Sequence, residues 1–568
     1  MTLEHPDTHA PARGAALRPA TLAIAAVFAF VVLVQGISAP FEKEAEPQSA
    51  EWIQGIVRDG HWLIPHDAYG YTDRKPPLFY WLSALVADAT GGIVDEVRAR
   101  AVSVVAGTAL AMAVLAWTVA SVGASEGWLA FLLILGTYGF ASRATEALTD
   151  MLLTCLLFAA YTAIYPLLDA PTVASSSLTR RKIFLGAMLG LGVLTKGPLA
   201  IVLCALAATI YMLIERRNPL ALLRERWPWQ VVAIAVAIGA TWYVPAAIVG
   251  GHKLLRIILA ENLGHFMPAR LGGTGESYRP FYFIAARLLG GAFPMTLLIL
   301  PAALAFYTGE IAAEKRRAVI YQVSMSLAVL LFFSIASVKR GDYILPAIPG
   351  IAILCASVFT LKVRGGASKL RDAMVALLVL VPIFALLAGV LILGNEPESK
   401  LQSSDALYYA TFLRLVWTMA GMLSLGFSIA LLTAIAAAVF GLFNRRALVS
   451  GVGFGFIALL LSLFWTAELR PTVAGRRSLK SFAPIVADHV KGAQLCIPNG
   501  INYELSYYYG AAVPDLDNRK CAYLVATPRE MDAMTPEYRE RLKLVAKSDL
   551  IGGGGPPSLF EISPEAAK

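Results

Sequence analysis

The chain has 568 residues, 57% of them apolar and only 15% charged, with a mean hydropathy of +0.63. Soluble domains carry about 25% charged and 45–50% apolar residues, so this apolar excess must face lipid; disorder, collagen, coiled coil and a small disulfide scaffold are excluded by the same figures. The net charge of +9 would suggest nucleic acid in a soluble protein, but in a membrane protein it reflects basic cytoplasmic loops, so its location matters more than its size.

A spanning helix needs about 20 mostly apolar residues. In chain order, spans are expected near 20–39, 99–122, 126–142, 149–168, 183–197, 198–214, 229–249, 281–305, 318–338, 342–362, 373–394, 411–440 and 448–466, thirteen in all. Arg13 and Arg18 precede the first, as in a signal peptide. Its apolar run is long, however, and Pro40 follows Ala39 where cleavage would have to occur, so an uncleaved anchor is expected. Lys and Arg gather in alternate loops: Arg180–Lys182, Arg216 to Arg226, Lys315–Arg317, Lys362 to Arg371, and Arg445–Arg446. These loops are therefore cytoplasmic, as is the N-terminus. Three regions then lie outside: a first loop at about 40–98, a second at about 250–280, and a terminal domain at about 467–568.

In the first loop, Ser49–Asp59 sets Trp52, Ile53, Ile56 and Val57 on one helical face, and Pro76–Val86 is aromatic-rich. Two helices lying in the membrane interface are expected. The terminal domain alternates helix-like stretches (Ser478–Val490, Pro528–Arg541) with β-rich runs (Gln494–Ile497, Tyr523–Ala526, Ser558–Ile562), which reads as a small α/β module. Gly552–Gly555 reads as a turn. Cys155, Cys204 and Cys355 lie in apolar runs as small hydrophobes, and no cysteine spacing suggests zinc. Outside the cytoplasm, Cys496 and Cys521 could be either a disulfide or two thiols.

Charges that break the topological pattern are the informative ones. Lys196 sits in an outer turn, Leu194-Thr195-Lys196-Gly197-Pro198; Lys339 and Arg340 sit in another, ahead of Gly341-Asp342-Tyr343; Lys75 lies in the first loop before Pro76-Pro77. Each could snorkel alone, but several on one face, each against a Gly or Pro turn, point to a shared anion site, with a lipid-linked phosphate as the anion. Carboxylates gather on the same face: Glu44 and Glu46 after the first span, and Asp150 at the head of a later one. Asp150 suits helix capping, and Glu44 and Glu46 suit a solvated loop. Beside a phosphate site they suit orienting a sugar or activating an acceptor.

The run Gly60-His61-Trp62-Leu63-Ile64-Pro65, then Tyr71 and Lys75-Pro76-Pro77-Leu78-Phe79-Tyr80-Trp81, resembles the first-loop signature of the lipid A aminoarabinose transferases and their relatives among the protein mannosyltransferase-like type-C glycosyltransferases. The likeness continues through Thr149–Thr154, Leu194–Pro198, Glu261-Asn262, Arg279–Tyr282 and Lys339–Pro346. It implies a mainly α, polytopic fold of about thirteen transmembrane helices (1–466) with a periplasmic α/β domain (467–568), in the bacterial inner membrane. It also implies inverting transfer of a sugar from undecaprenyl phosphate to lipid A or lipopolysaccharide. The family's phosphate-binding lysines match Lys75 and Lys196, its acidic residue at the second outer turn matches Asp150, and its turn near the carrier lipid matches Lys339, Arg340 and Tyr343. Arg270 is the nearest counterpart of a further basic residue.

Two departures matter. Where the family opens the first loop with Asp-Glu, this chain has Ala45-Glu46, so Glu46 or, after a one-residue shift, Glu44 would take the catalytic place. Where the family carries a Glu before Lys-Pro-Pro, this chain has Arg74. A divalent metal is therefore doubtful despite His61, His66 and His265, and no other cofactor is called for. If the acceptor is itself a phosphate, no strong base is needed. A protein O-glycosyltransferase or core galacturonic acid transferase is the enzyme alternative. A flippase would predict a repeat or midplane charges, and neither is present in the sequence.

Overall fold

The computed structural model describes residues 17–41, 45–72, 75–169, 175–264, 279–308, 311–336, 338–360, 366–393, 424–516, 521–551 and 554–563. Apolar stretches become helices in the expected order. They are α1 (Pro19–Leu33), α2 (Ala45–Asp59), α3 (Leu78–Ala89), α4 (Glu96–Ser121), α5 (Ala124–Leu135), α6 (Tyr138–Ala144), α7 (Thr149–Asp169) and α8 (Ser175–Lys196). There follow α9 (Leu199–Ile214), α10 (Arg226–Gly264), α11 (Phe283–Gly291), α12 (Thr296–Thr308), α13 (Ala313–Ile335), α14 (Ile348–Ser357), α15 (Gly366–Leu393), α16 (Ser424–Phe443) and α17 (Ala447–Phe464).

Where they lie among the described residues, the thirteen expected spans fall on these helices or on a bent pair; residues 411–423 of the span 411–440 lie outside the described residues. Among the described residues, six helices are long and apolar enough to cross a bilayer unaided, or eight if the pairs α5/α6 and α11/α12, bent by 65° and 105°, each count as one. The remainder include α1 (15 residues) and α9 (16 residues). A short helix can stand in a bilayer when neighbours rather than lipid satisfy its ends. The last apolar helix does not stop at 466: a π turn at Trp465–Leu469 carries it into α18 (Arg470–Arg477).

Close approach of small residues sets the packing, since lipid tails give helices no hydrophobic reason to associate. On α8, Gly186 and Gly190 face Ile234 and Ile238 of α10, and a Cβ at Gly190 would stand 2.7 Å from the Ile238 Cβ. Polar caps hold the outer ends: Asp95 accepts the Arg98 N–H at 2.8 Å at the start of α4.

The first-loop helices differ from the expectation of a membrane-lying pair. Their apolar faces are covered by protein: Ile53 and Phe79 are fully buried, and Trp52 packs edge-on against Tyr80, 5.4 Å between centroids. α2 lies against α3 and against α20 (Tyr503–Tyr509) of the terminal domain. That domain also contains α19 (Ala483–Val490), α21 (Pro528–Asp532) and α22 (Pro536–Glu540) around a four-stranded sheet. Its strands are β1 (Leu495–Cys496), β2 (Tyr523–Ala526), β3 (Leu542–Lys547) and β4 (Ser558–Ile562), in the order β1-β2-β4-β3. β1 and β2 are parallel and the other pairs antiparallel. β3, Leu-Lys-Leu-Val-Ala-Lys, was not among the expected strands; it is an edge strand with no fully buried residue. The expected helix 528–541 is split where Pro536 starts a new one. Cys496 and Cys521 form a disulfide across 25 residues.

Candidate active site

The site is built on the first loop, which three tryptophans from three helices pin by its backbone. The indole N–H of Trp81 (α3) donates to the Trp62 carbonyl at 2.5 Å, that of Trp242 (α10) to the Leu63 carbonyl at 2.8 Å, and that of Trp52 (α2) to the Tyr71 carbonyl at 3.3 Å. Asp67 accepts the backbone N–H groups of Tyr69 and Tyr71 at 3.0 and 2.8 Å, closing a tight loop between His66 and Thr72. Unpaired loop amides at membrane depth would be costly, and these contacts explain the loop's concentration of aromatic residues.

The loop forms one wall of a cavity of about 800 Å³. Trp52, His66, Tyr71 and Lys75 line it from the first loop, Tyr503 from α20, and Arg340 from the turn after α13. The opposite wall is α10 at Gly250, Lys253, Leu254 and Ile257. Gly251 has φ of +58°, and this left-handed residue kinks α10 over the cavity; a side chain there would be strained. Three cations, Lys75, Lys253 and Arg340, thus face a pocket that is polar on one side and apolar on the other. An anion with a hydrocarbon tail fits such a pocket.

A second set of expected residues meets beside it. Lys196, at the end of α8, donates to the Asp150 carboxylate at the head of α7 at 2.7 Å and lies 4.9 Å from the centre of the Tyr343 ring. Tyr343 packs on Phe333 at 4.5 Å. Lys75 and Arg143 are close enough to act electrostatically on Asp150. Arg143 in turn ion-pairs with Glu146 and Asp342. Three outer turns distant in sequence, at 143–150, 196 and 340–343, are thereby tied into one charged layer.

Other residues are placed differently from the sequence expectation. Glu46 is fully buried, and its oxygens are occupied by protein. Arg100 donates to it at 2.8 and 3.1 Å, Arg470 at 3.3 Å, and the Ala147 N–H at 2.9 Å. A carboxylate has about four acceptor positions, all filled here, so Glu46 ties the first loop to α4, to the turn before α7 and to α18, and it does not line the cavity described above. Arg100, also fully buried, additionally donates to the Ile37 and Ala39 carbonyls. Lys339 turns away from the first cavity and donates to the Ala336 carbonyl at 2.6 Å and the Arg279 carbonyl at 3.1 Å. Glu44, Arg270, Arg74 and His265 lie outside the described residues.

Glu51 lies on α2 next to its apolar face. It is buried against α20, accepting hydrogen bonds from the Ser506 hydroxyl and from the Ala68 N–H at 3.2 Å. Burial pushes its carboxyl up to about 7, against the effect of those bonds, with Asp67 adding to the rise and Arg58 opposing it. Burial likewise raises Asp67. Sequence periodicity could not reveal Glu51, because its partners come from the far end of the chain.

Among the described residues, no group of three or more His, Cys, Asp or Glu gathers as a metal-binding set. His61 and His66 stack edge-on, 5.1 Å apart, while Glu46 is bound by arginines and Asp150 by Lys196. In the described layer the carboxylates Asp150, Glu146 and Asp342 are each paired with a cation.

A family described as dolichyl-phosphate-mannose-protein mannosyltransferase matches residues 74–244. An undecaprenyl phosphate-alpha-4-amino-4-deoxy-L-arabinose arabinosyl transferase of Enterobacter sp. (strain 638) is 28% identical over 402 residues, 67% of each chain. A protein of the same description from Erwinia tasmaniensis is 28% identical over 352 residues, 61% of each chain. The similarity thus spans about three fifths to two thirds of these relatives. The solved structure of ArnT from Cupriavidus metallidurans bound to undecaprenyl phosphate is 18% identical and superposes with a TM-score of 0.73, covering 96% of this chain and 98% of the other. The fold is therefore that of this polytopic membrane protein over 96% of the chain.

Proposed function

We infer that the chain is a membrane glycosyltransferase of the lipid A aminoarabinose transferase kind, with the type-C glycosyltransferase fold. Its donor is a sugar carried on undecaprenyl phosphate, of the aminoarabinose type, and its acceptor is lipid A. The observation that carries this reading is the cavity of about 800 Å³ walled by Lys75, Arg340 and the kinked α10, beside the Lys196–Asp150–Tyr343 cluster.

The reaction is a displacement at the anomeric carbon with inversion. An acceptor oxygen forms the new C–O bond while the bond to the carrier phosphate breaks, and the phosphate leaves with the electron pair. Charge develops on the leaving phosphate, and fixed cations act most strongly there. Lys75 and Arg340, which both line the cavity, face it. Lys196 is held by Asp150 and by the Tyr343 ring, which prevents it from snorkelling away. Asp150 thereby positions the cation layer and, with Lys75, orients the sugar. With a phosphate monoester as acceptor, one phosphate gains a substituent as the other loses one, so total charge is conserved and no proton need be removed.

The chain is a multi-pass membrane protein. Its N-terminus is cytoplasmic and residues 467–568 periplasmic, a reading supported by the alternation of basic loops and by the Cys496–Cys521 disulfide, a bond of oxidising compartments.

The test uses the purified full chain in vesicles, undecaprenyl-phosphate-linked aminoarabinose and lipid A, with products read by mass spectrometry. Lys75→Ala is expected to lower transfer by about 100-fold or more, as loss of a transition-state cation does, with membrane insertion intact. Absence of transfer with any polyprenyl-phosphate sugar would remove the enzyme reading. Near-normal transfer by Lys75→Ala would remove Lys75 from the site.

A further inference from the structure

Next to the donor cavity lies a second one, of about 470 Å³, lined by Arg279, Phe283, Arg287, Val338, Lys339, Arg340, Gly341 and Asp342. Arg340 is common to both. The donor phosphate, the leaving group of the reaction proposed above, is accounted for by Lys75 and its neighbours, so the second concentration of cations has a separate role.

Its charge is one-sided. Among the described residues, four cations line it against a single carboxylate, Asp342, which is ion-paired with Arg143. The cations are positioned by contacts on other faces. The Arg279 guanidinium lies over the Phe283 ring at 5.3 Å. Lys339 is oriented by two backbone carbonyls. Arg287 lies flat on Gly341, where an added Cβ would come within 2.6 Å of its Nε. A glycine at 341 thus leaves room for a guanidinium to approach the turn that carries Lys339 and Arg340.

The location suits a membrane amphiphile. α11, which supplies Phe283 and Arg287, breaks from α12 at 105° and is preceded by Phe281 and Tyr282, 75% and 59% exposed. Exposed aromatics flanking a short, sharply turned helix are a feature of the lipid head-group level.

We propose that this second cavity binds the phosphate monoester of the amphiphilic acceptor, with Arg279, Arg287 and Lys339 as its ligands. Arg340, between the two cavities, is the cation shared by attacking and leaving phosphates. This assignment rests on the glycosyl-transfer reading and adds to it the acceptor's binding group. Arginine suits the role because its planar fork matches phosphate oxygens in pairs.

Direct binding tests it without turnover. The full chain in nanodiscs is titrated with monophosphorylated lipid A, with the dephosphorylated lipid, with undecaprenyl phosphate and with inorganic phosphate. Arg279→Gln and Arg287→Gln are each expected to weaken binding of the phosphorylated lipid by about tenfold or more, the usual effect of losing a charge-assisted hydrogen bond. Gly341→Ala, which displaces Arg287, is expected to act in the same direction. The dephosphorylated lipid should bind weakly to wild type and variants alike. Undecaprenyl phosphate should bind all of them within about threefold of wild type, which also shows that the variants are folded. Inorganic phosphate should compete only at far higher concentrations than the lipid. The assignment fails if the variants bind phosphorylated lipid normally, if carrier affinity falls in parallel, or if free phosphate competes as well as the lipid. Absence of sugar transfer by a wild-type protein that binds the lipid in this pattern would count against the reaction alone.

Discussion

Replacing Glu51 by Gln should abolish a pH dependence built into the contact between the first loop and the terminal domain. Glu51 is 3% exposed, and its partners come from both sides: the Ala68 N–H in the loop and the Ser506 hydroxyl on α20. Asp67, Tyr69 and Arg58 are the charged or titrating groups around it. A carboxyl raised from 4.5 to about 7 binds more protons in the closed contact than when opened to water. Its stabilisation is therefore complete below the ordinary carboxylate range and is lost as pH rises through about 7. Between about pH 5 and about pH 8 the closed-to-open ratio should fall by about 70-fold, roughly 2.5 kcal/mol. Hydrogen exchange of the amides in 503–510 measures that opening. Wild type should lose protection with rising pH, and Glu51→Gln, neutral throughout, should show a flatter profile, the difference between the two being the Glu51 contribution. Identical profiles, or protection that grows with pH in wild type only, would refute the reasoning. Trp52 and Tyr503 flank this contact and line the donor cavity, so loosening it should also show in donor affinity at alkaline pH.

Two further outcomes follow from the buried charge and the disulfide. Arg100→Leu leaves Glu46 partly uncompensated in a sealed environment, which should cost about 3–5 kcal/mol and lower the thermal unfolding temperature in detergent; a normal melting temperature with transfer abolished would instead place Glu46 in the chemistry. Cys496→Ser opens a loop of 25 residues and should destabilise the terminal domain by about 3.5 kcal/mol on the chain-entropy estimate, seen as faster proteolysis of 478–563 with the helical region unaffected; unchanged proteolysis would show that the sheet holds without the bond.

Much of this protein follows from local pattern. Apolar runs of helical length, basic loops in alternation and the first-loop motif sufficed for the helix order and for Lys75, Lys196, Asp150, Arg340 and Tyr343 as a group. Lys75, Lys196 and Arg340 stood out because each is a cation beside a Gly or Pro turn near an apolar run, where membrane physics makes it conspicuous; Asp150 stood out as a carboxylate at the head of an apolar run, and Tyr343 through the family resemblance. Glu46 stood out as a carboxylate after the first span but has another role, because Arg100 and Arg470, which fill its oxygens, come from 54 and 424 residues away. Arg279 and Arg287 were not recognised as ligands because on a sequence they are ordinary residues at the edge of a span; only the 105° break between α11 and α12 brings them to the Lys339–Arg340 turn. The edge strand β3 carries four apolar residues among its six and directly follows the expected helix 528–541, so local pattern did not separate it as a strand.

The sequence alone determined that this chain lives in a membrane, and it carried the alternation of basic loops and the cations that depart from that alternation. Those properties depend on transfer free energies that each segment carries with it. The tertiary structure decided which of those charges is paired and which faces a cavity, that the apolar face of α2 is buried in protein, and that the cations divide between two cavities joined at Arg340. Pairing in a low-dielectric interior is settled by distances of a few ångströms between distant segments, and no local composition encodes such distances. The net charge of +9 thus resolves into loops that set topology and a small outer layer whose function depends on its neighbours.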